Sequence, residues 1–145
     1  RRFGAVVSLA VIEHIAEARD FARRLRDLVE PGGLVIVMTL NESGLIYSLA
    51  RGLRVLGLPF AFDRLYSRHH LHHFTPGSLA ALLEGAGLHV EETLFHNAPL
   101  RSIDVPADSK VVAAGMRLAV AALFALGRMT GRTYLQTVIC RAGAE

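Results

Sequence analysis

The stretch Phe3-Gly4-Ala5-Val6-Val7-Ser8-Leu9-Ala10-Val11-Ile12-Glu13-His14-Ile15, continued through Glu30-Pro31-Gly32-Gly33-Leu34-Val35-Ile36-Val37-Met38 to Asn41, decides the fold. Val6, Val7 and Leu9 lie in a short run that is apolar on both faces, as a strand covered by helices on both sides must be. The pattern predicts a central parallel strand over Phe3 to Ala10. From Ala16 to Val29 the residues Phe21, Leu25, Leu28 and Val29 recur at helical spacing, with Arg23, Arg24, Arg26 and Asp27 opposite them. This predicts an amphipathic crossover helix. Pro31-Gly32-Gly33 stops it, because proline cannot continue a helix and glycine tolerates positive φ, and Leu34 to Met38 forms the next buried strand.

The alternation continues downstream, and alternation of this kind defines an α/β fold. Asn41 is placed to cap a helix beginning near Ser43 and carrying Leu45, Ile46, Leu49 and Leu53, which Gly57 and Pro59 end. A loop rich in aromatics and histidines runs from Phe60 to Phe74. Thr75-Pro76 then starts a helix with threonine as cap and proline in its first turn. Leu88 to His96 alternates imperfectly, which suits a strand near a sheet edge. A helix from Ser109 to Met129 leads to a last strand, Tyr134 to Cys140.

With 145 residues and 52% hydrophobic content the chain holds one domain's worth of core at most, read as a single unit over 1–145. Sixteen Lys and Arg against 13 Asp and Glu give a net charge of only +3, too weak a footprint to argue for a nucleic-acid partner. The lone cysteine, Cys140, excludes an intramolecular disulfide, is expected to be buried, and favours a reducing cytoplasm. The chain opens on Arg-Arg-Phe with no apolar leader behind it, so no signal peptide is expected in it.

Phe3-Gly4-Ala5-Val6-Val7, then Val11-Ile12-Glu13-His14-Ile15, then Leu28-Val29-Glu30-Pro31-Gly32-Gly33 before a strand, then His72-His73-Phe74-Thr75-Pro76 and Leu83-Glu84-Gly85-Ala86-Gly87-Leu88 come in one order. In these motifs the chain resembles the C-terminal half of a class I S-adenosylmethionine-dependent methyltransferase, of the group containing ubiquinone-biosynthesis O-methyltransferases and many small-molecule methyltransferases. The resemblance implies a Rossmann-like sheet with helices on both faces. It makes Phe3 to Ala10 and Leu34 to Leu40 the fourth and fifth strands, and Leu88 to Phe95 and Tyr134 to Cys140 the sixth and the antiparallel seventh. The family's glycine-rich cofactor loop and its ribose-binding acid have no counterpart here: Gly32-Gly33 precedes a strand rather than following one.

The resemblance also implies S-adenosylmethionine as cofactor and a small or lipid-like acceptor methylated at oxygen. Ligands of open parallel sheets bind outside the carboxyl ends of the strands, so Ser8, Leu9 and Ala10 are the cofactor-facing candidates. His14, just past that strand end, is the candidate general base, with helix capping and loop holding by Glu13 and His14 as the competing explanation. Two departures from the family pattern, Gly4 and Ala10 where acids are often found, remove carboxylates that would orient the cofactor's amino group.

Four of the 7 histidines, His69, His70, His72 and His73, fall within five positions. Tyr66, His69 and His70 are read as a substrate-side lid, and Asn41 as a further substrate contact or a simple cap. A metal centre is the alternative, weakened by the absence of a cysteine or a clear carboxylate at ligand spacing. Val111 to Leu126 is apolar but interrupted by Arg117 and falls short of a membrane span, which leaves a core or dimer-facing helix, or an interfacial helix in peripheral contact with a membrane. A non-catalytic half-fold, pairing through an open strand edge at Phe3 to Ala10, is the alternative to an enzyme.

Overall fold

The computed structural model of the chain describes residues 1–102 and 109–144. Its order is β1 (Phe3–Leu9), a 3₁₀ turn (Ile12–His14), α1 (Ala18–Leu28), β2 (Val29–Leu40), α2 (Leu45–Val55), α3 (Phe60–Leu65), α4 (Pro76–Glu84), β3 (Leu88–His96), a 3₁₀ turn (Leu100–Ser102), α5 (Lys110–Met129) and β4 (Leu135–Ala142). The four strands form one sheet in the order β1-β2-β4-β3. β1 runs parallel to β2, and β4 runs antiparallel to both of its neighbours. The antiparallel last strand and the edge position of Leu88–His96 are both as expected.

Packing explains which face is sealed. Val35 and Val37 of β2 lie opposite Cys140 and Val138 of β4, so all four point to one side, where Ala22 and Leu25 of α1 and Leu79 and Leu83 of α4 close over them. α4 begins with a reciprocal cap: the Thr75 hydroxyl accepts from the Ser78 amide at 3.2 Å, and the Ser78 hydroxyl accepts from the Thr75 amide at 3.0 Å. Such caps contribute about 1 kcal/mol. Cys140 is fully buried, and burial pushes its thiol up to about 11, which leaves it an inert core residue.

Three expectations change. β1 is an edge strand in this chain, and Phe3, Val7 and Leu9 are 45%, 56% and 55% exposed, because nothing among the described residues pairs with its outer side. β2 starts at Val29 rather than Leu34; Pro31-Gly32-Gly33 lies within it as an irregularity, with Gly32 at φ 74 and the pairing with β1 shifting between Phe3 and Ala5. Gly33 has no substitute there, since a Cβ would stand 2.7 Å from the Gly4 carbonyl oxygen. The aromatic loop contains a short helix, α3, too brief for periodicity to reveal.

α5 departs furthest. It is 20 residues long, with a window of mean hydropathy 1.7, so by length and composition it is sufficient to cross a membrane, contrary to the expectation from sequence. Nor is it a core helix: only 11% of that window is buried, with Val111, Leu118 and Met129 at 81%, 73% and 83% exposure. The strands on either side of it, β3 and β4, pair with each other, so a single crossing by α5 would separate strands that are hydrogen-bonded. It packs instead against α2, at the end of the sheet where β2 finishes and β4 begins.

Candidate functional site

The candidate groups lie where β1 and β2 end. Ser8 is buried, and its hydroxyl has no hydrogen-bond partner among the described residues. Leu9 is open, and Ala10 turns the chain with φ 53, a left-handed conformation that is strained for a residue with a Cβ. The Ala10 amide still donates to the Met38 carbonyl at 2.9 Å, so the strand is held to its last residue before the turn Ile12–His14.

Glu13 is the anchor of that turn. It is 2% exposed, and its carboxylate accepts from the Thr39 hydroxyl at 2.8 Å. Its backbone carbonyl accepts from the amides of Leu71 and His72, at 2.8 and 3.1 Å. One residue therefore ties the end of β2 to the histidine loop. It caps no helix: α1 has no side-chain cap.

His14 is exposed and sits beside that loop, with Nδ1 2.6 Å from the His69 carbonyl and its ring centroid 5.0 Å from that of His70. A carbonyl can only accept, so Nδ1 carries the proton and Nε2 of the neutral ring is the acceptor. His69 itself is exposed and takes part through its backbone. His70 is half-buried and bridges from His14 to His73, whose ring centroid is 6.1 Å away. His72 bonds to the Ala16 carbonyl at 3.2 Å. Among the described residues no three His, Cys, Asp or Glu side chains converge as metal ligands, so the metal alternative finds no site.

Tyr66 closes the loop from the other side. Its hydroxyl donates to Glu42 at 3.0 Å and accepts from Arg51 at 2.8 Å, while Arg51 reaches Glu42 at 3.3 Å. Burial, ahead of the opposed effects of Arg51 and Glu42, raises the Tyr66 phenol above its ordinary range. The ring stacks on Phe62 and leans on His73, with centroids 4.1 and 4.5 Å apart. Burial likewise lowers the His73 imidazole, against the pull of Glu42 and of the Leu65 backbone, with smaller pushes from His70 and His72.

That direction sets a pH dependence. The unfolded chain binds a proton at His73 more readily than the folded one, so stability falls as pH drops through about 6.5 toward the lower folded value. Urea midpoints between pH 7.5 and 5 should decline less in His73→Gln than in the wild type. Equal declines would mean that His73 titrates as it does in the unfolded chain.

Asn41 was expected to cap a helix or meet substrate, and the structure turns it inward. It is 1% exposed; its amide donates to the Thr133 carbonyl at 3.0 Å and its oxygen accepts from the Ser43 amide at 3.0 Å. Both polar groups are used by the chain itself. Gln136 acts similarly, its amide joining the carbonyls of Leu40 and Phe74.

Next to the polar cluster lies an apolar groove of about 690 Å³ between α2, α3 and α5, lined by Ile46, Leu49, Leu53, Phe60, Val120, Leu123 and Tyr134 among others. Neither it nor the buried Thr39 and Tyr47, nor the Glu42–Arg51 pair, were foreseen. Thr39 offered a signal, as the polar residue in the otherwise apolar run from Leu34 to Leu40.

Comparisons with known proteins give the family and agree with the fold. A family model described as a methyltransferase domain matches residues 1–93. The chain belongs to that family, the class I S-adenosylmethionine-dependent methyltransferases. It is 34% identical over 93 residues to a ubiquinone biosynthesis O-methyltransferase of Azorhizobium caulinodans, covering 63% of this chain and 35% of that one. Among solved structures it is similar to an S-adenosylmethionine-dependent methyltransferase from Archaeoglobus fulgidus, with a TM-score of 0.55 at 16% identity over 97% of this chain and 59% of that one. A methyltransferase from Mesorhizobium loti gives 0.54 at 15%, over 97% and 62%. The chain spans about a third of the length of the curated relatives it matches.

Proposed function

We propose that the chain forms the acceptor-facing part of a methyltransferase that moves a methyl group from S-adenosylmethionine to an oxygen of a small or lipid-like acceptor. The observation that carries this is His14: it stands at the carboxyl end of β1, with Nδ1 committed to the His69 carbonyl and Nε2 left to accept a proton.

The residues present fit one side of the cofactor. The buried hydroxyl of Ser8, without a partner among the described residues, is a group that a bound ligand would satisfy, and Leu9 and Ala10 beside it are exposed. When bound, S-adenosylmethionine supplies a methyl group on a sulfonium sulfur. What the chain must add is alignment and exclusion of water, which together are worth about 7 to 11 kcal/mol when orientation is ideal. His14 Nε2 takes the acceptor's hydroxyl proton. Glu13, through Leu71 and His72, holds the loop over it. Titration calorimetry of the intact protein with S-adenosylhomocysteine tests the reading; micromolar binding supports it, and no heat at millimolar ligand would refute it.

The apolar groove supports an acceptor with an apolar portion. It also supports peripheral contact with a membrane. Residues 45–71 and 110–129 carry Arg51, Arg54, Arg64, Arg68, Lys110, Arg117 and Arg128 against Asp63 alone, so seven bases and one acid put +6 on these segments of a chain that is +3 overall. Exposed Val55, Leu56 and Phe60 lie among them. Each basic residue near an anionic surface adds about 1 kcal/mol. Co-sedimentation with vesicles containing anionic phosphatidylglycerol should therefore be strong at low salt and fall sharply by 0.5 M, with little binding to neutral vesicles. Equal binding to both would remove the electrostatic part.

A further inference from the structure

Two arginines share one serine in the first turns of α2. The Ser48 hydroxyl is half-buried and accepts from the guanidinium of Arg132 at 2.6 Å and from that of Arg51 at 3.4 Å. Arg51 also holds Glu42 at 3.3 Å and donates to the Tyr66 hydroxyl at 2.8 Å. Among the described residues Glu42 is the one acid that either guanidinium reaches. The segments around them supply no other, since residues 43–62 and 109–144 contain no Asp or Glu. Two positive charges therefore meet at a neutral hydroxyl, with one carboxylate to offset them.

Arg132 is brought there by its backbone. Its carbonyl accepts from the Leu45 amide at 3.0 Å, its amide donates to the Gly127 carbonyl at 2.7 Å, and its Nε donates to the Ser43 carbonyl at 3.0 Å. Two glycines make this close approach possible. A Cβ on Gly127 would stand 2.7 Å from the Arg132 carbonyl oxygen, and one on Gly44 would stand 2.6 Å from that of Thr133. Holding like charges together costs free energy unless an anion offsets it. A guanidinium carries five N–H donors in a fixed plane, which match the oxygens of a phosphate in pairs.

We infer that Arg51, Arg132 and Ser48 form a binding site for a phosphate group, carried by a soluble molecule or by a lipid headgroup. The phosphate oxygens accept from both guanidiniums. The Ser48 hydroxyl turns to donate to them, giving up its long 3.4 Å bond to the Gly44 carbonyl. Glu42 stays with Arg51, so the anion balances the second charge. The inference does not depend on methyl transfer, because neither Ser8 nor His14 takes part in the site.

Calorimetric titration of inorganic phosphate into the intact protein at constant ionic strength, and co-sedimentation with phosphatidylglycerol vesicles, are the two arms of the test. In whichever arm the wild type binds, Arg132→Gln should weaken binding about tenfold or more, and Arg132→Lys about threefold or more, since lysine keeps the charge and loses the planar fork. Loss in the phosphate arm alone assigns a soluble ligand, and loss in the vesicle arm assigns a headgroup. No binding in either arm, or Arg132→Lys equal to wild type in both, would overturn the inference. Ser48→Asp gives a reading that needs no ligand. A carboxylate set between the two guanidiniums should raise the melting temperature, and the rise should shrink by about half or more when Arg132→Gln is added. A rise of equal size in both backgrounds, or a fall, would count against the site just as firmly.

Discussion

His14→Ala should lower methyl transfer by between about 10² and 10⁴-fold, the usual contribution of a positioned general base. The reason lies in the tautomer: the His69 carbonyl 2.6 Å from Nδ1 fixes the proton there, and Nε2 is the ring's one remaining acceptor. The same contact also steadies the histidine loop, and its loss would cost about 1 kcal/mol. His14→Asn separates the two roles, because its amide can still donate to the carbonyl but cannot take a proton at the Nε2 position. We expect His14→Asn to keep the wild-type melting temperature and its affinity for S-adenosylhomocysteine within about twofold, while losing turnover as severely as the alanine variant. Turnover within tenfold of wild type in His14→Asn would reduce His14 to a structural tie.

Leu83→Ala should cost about 2–5 kcal/mol, a large part of the about 5–15 kcal/mol that holds a typical domain folded. Leu83 is fully buried on α4 and belongs to the cluster of Val37, Val138 and Cys140 that seals one face of the sheet. Its neighbours Leu79 and Leu88 come from rigid elements that cannot collapse into the space, so the cavity term adds to the lost burial. With a urea slope of about 1–3 kcal/mol/M, the midpoint should fall by at least about 0.7 M. Val55→Ala is the control: that residue is 87% exposed, and its loss should change stability by less than about 0.5 kcal/mol. A midpoint for Leu83→Ala within experimental scatter of wild type would mean that α4 does not close the core.

The legible parts of the fold were those whose cause is local. Leu34 to Met38 is an apolar run that forms an interior strand paired on both edges, Thr75-Pro76 carries its own capping chemistry, and the imperfect alternation of Leu88 to His96 matched an edge strand. Exposure was less legible, because it belongs to the neighbours of a segment. β1 has the composition of an interior strand yet shows Val7 to solvent, and α5 has the composition of a core helix yet buries chiefly Phe124 and Gly127.

The site divides along the same line. His14 and His70 could be nominated from the motif and the cluster, and the structure brings them together. Asn41 could not be judged, since the Thr133 carbonyl that claims its amide lies 92 positions away. The Glu13–Thr39 pair spans 26 positions. No periodicity announces such pairs.

On the proposed function, the carboxyl end of β1 and the histidine loop together face a bound S-adenosylmethionine-type ligand. Amide hydrogen exchange on the intact protein, with and without S-adenosylhomocysteine, tests it most directly. The account predicts slowed exchange in peptides covering residues 8–15 and 69–73, with little change in β3. Ligand binding that leaves 8–15 unprotected, or no binding at all, would contradict it.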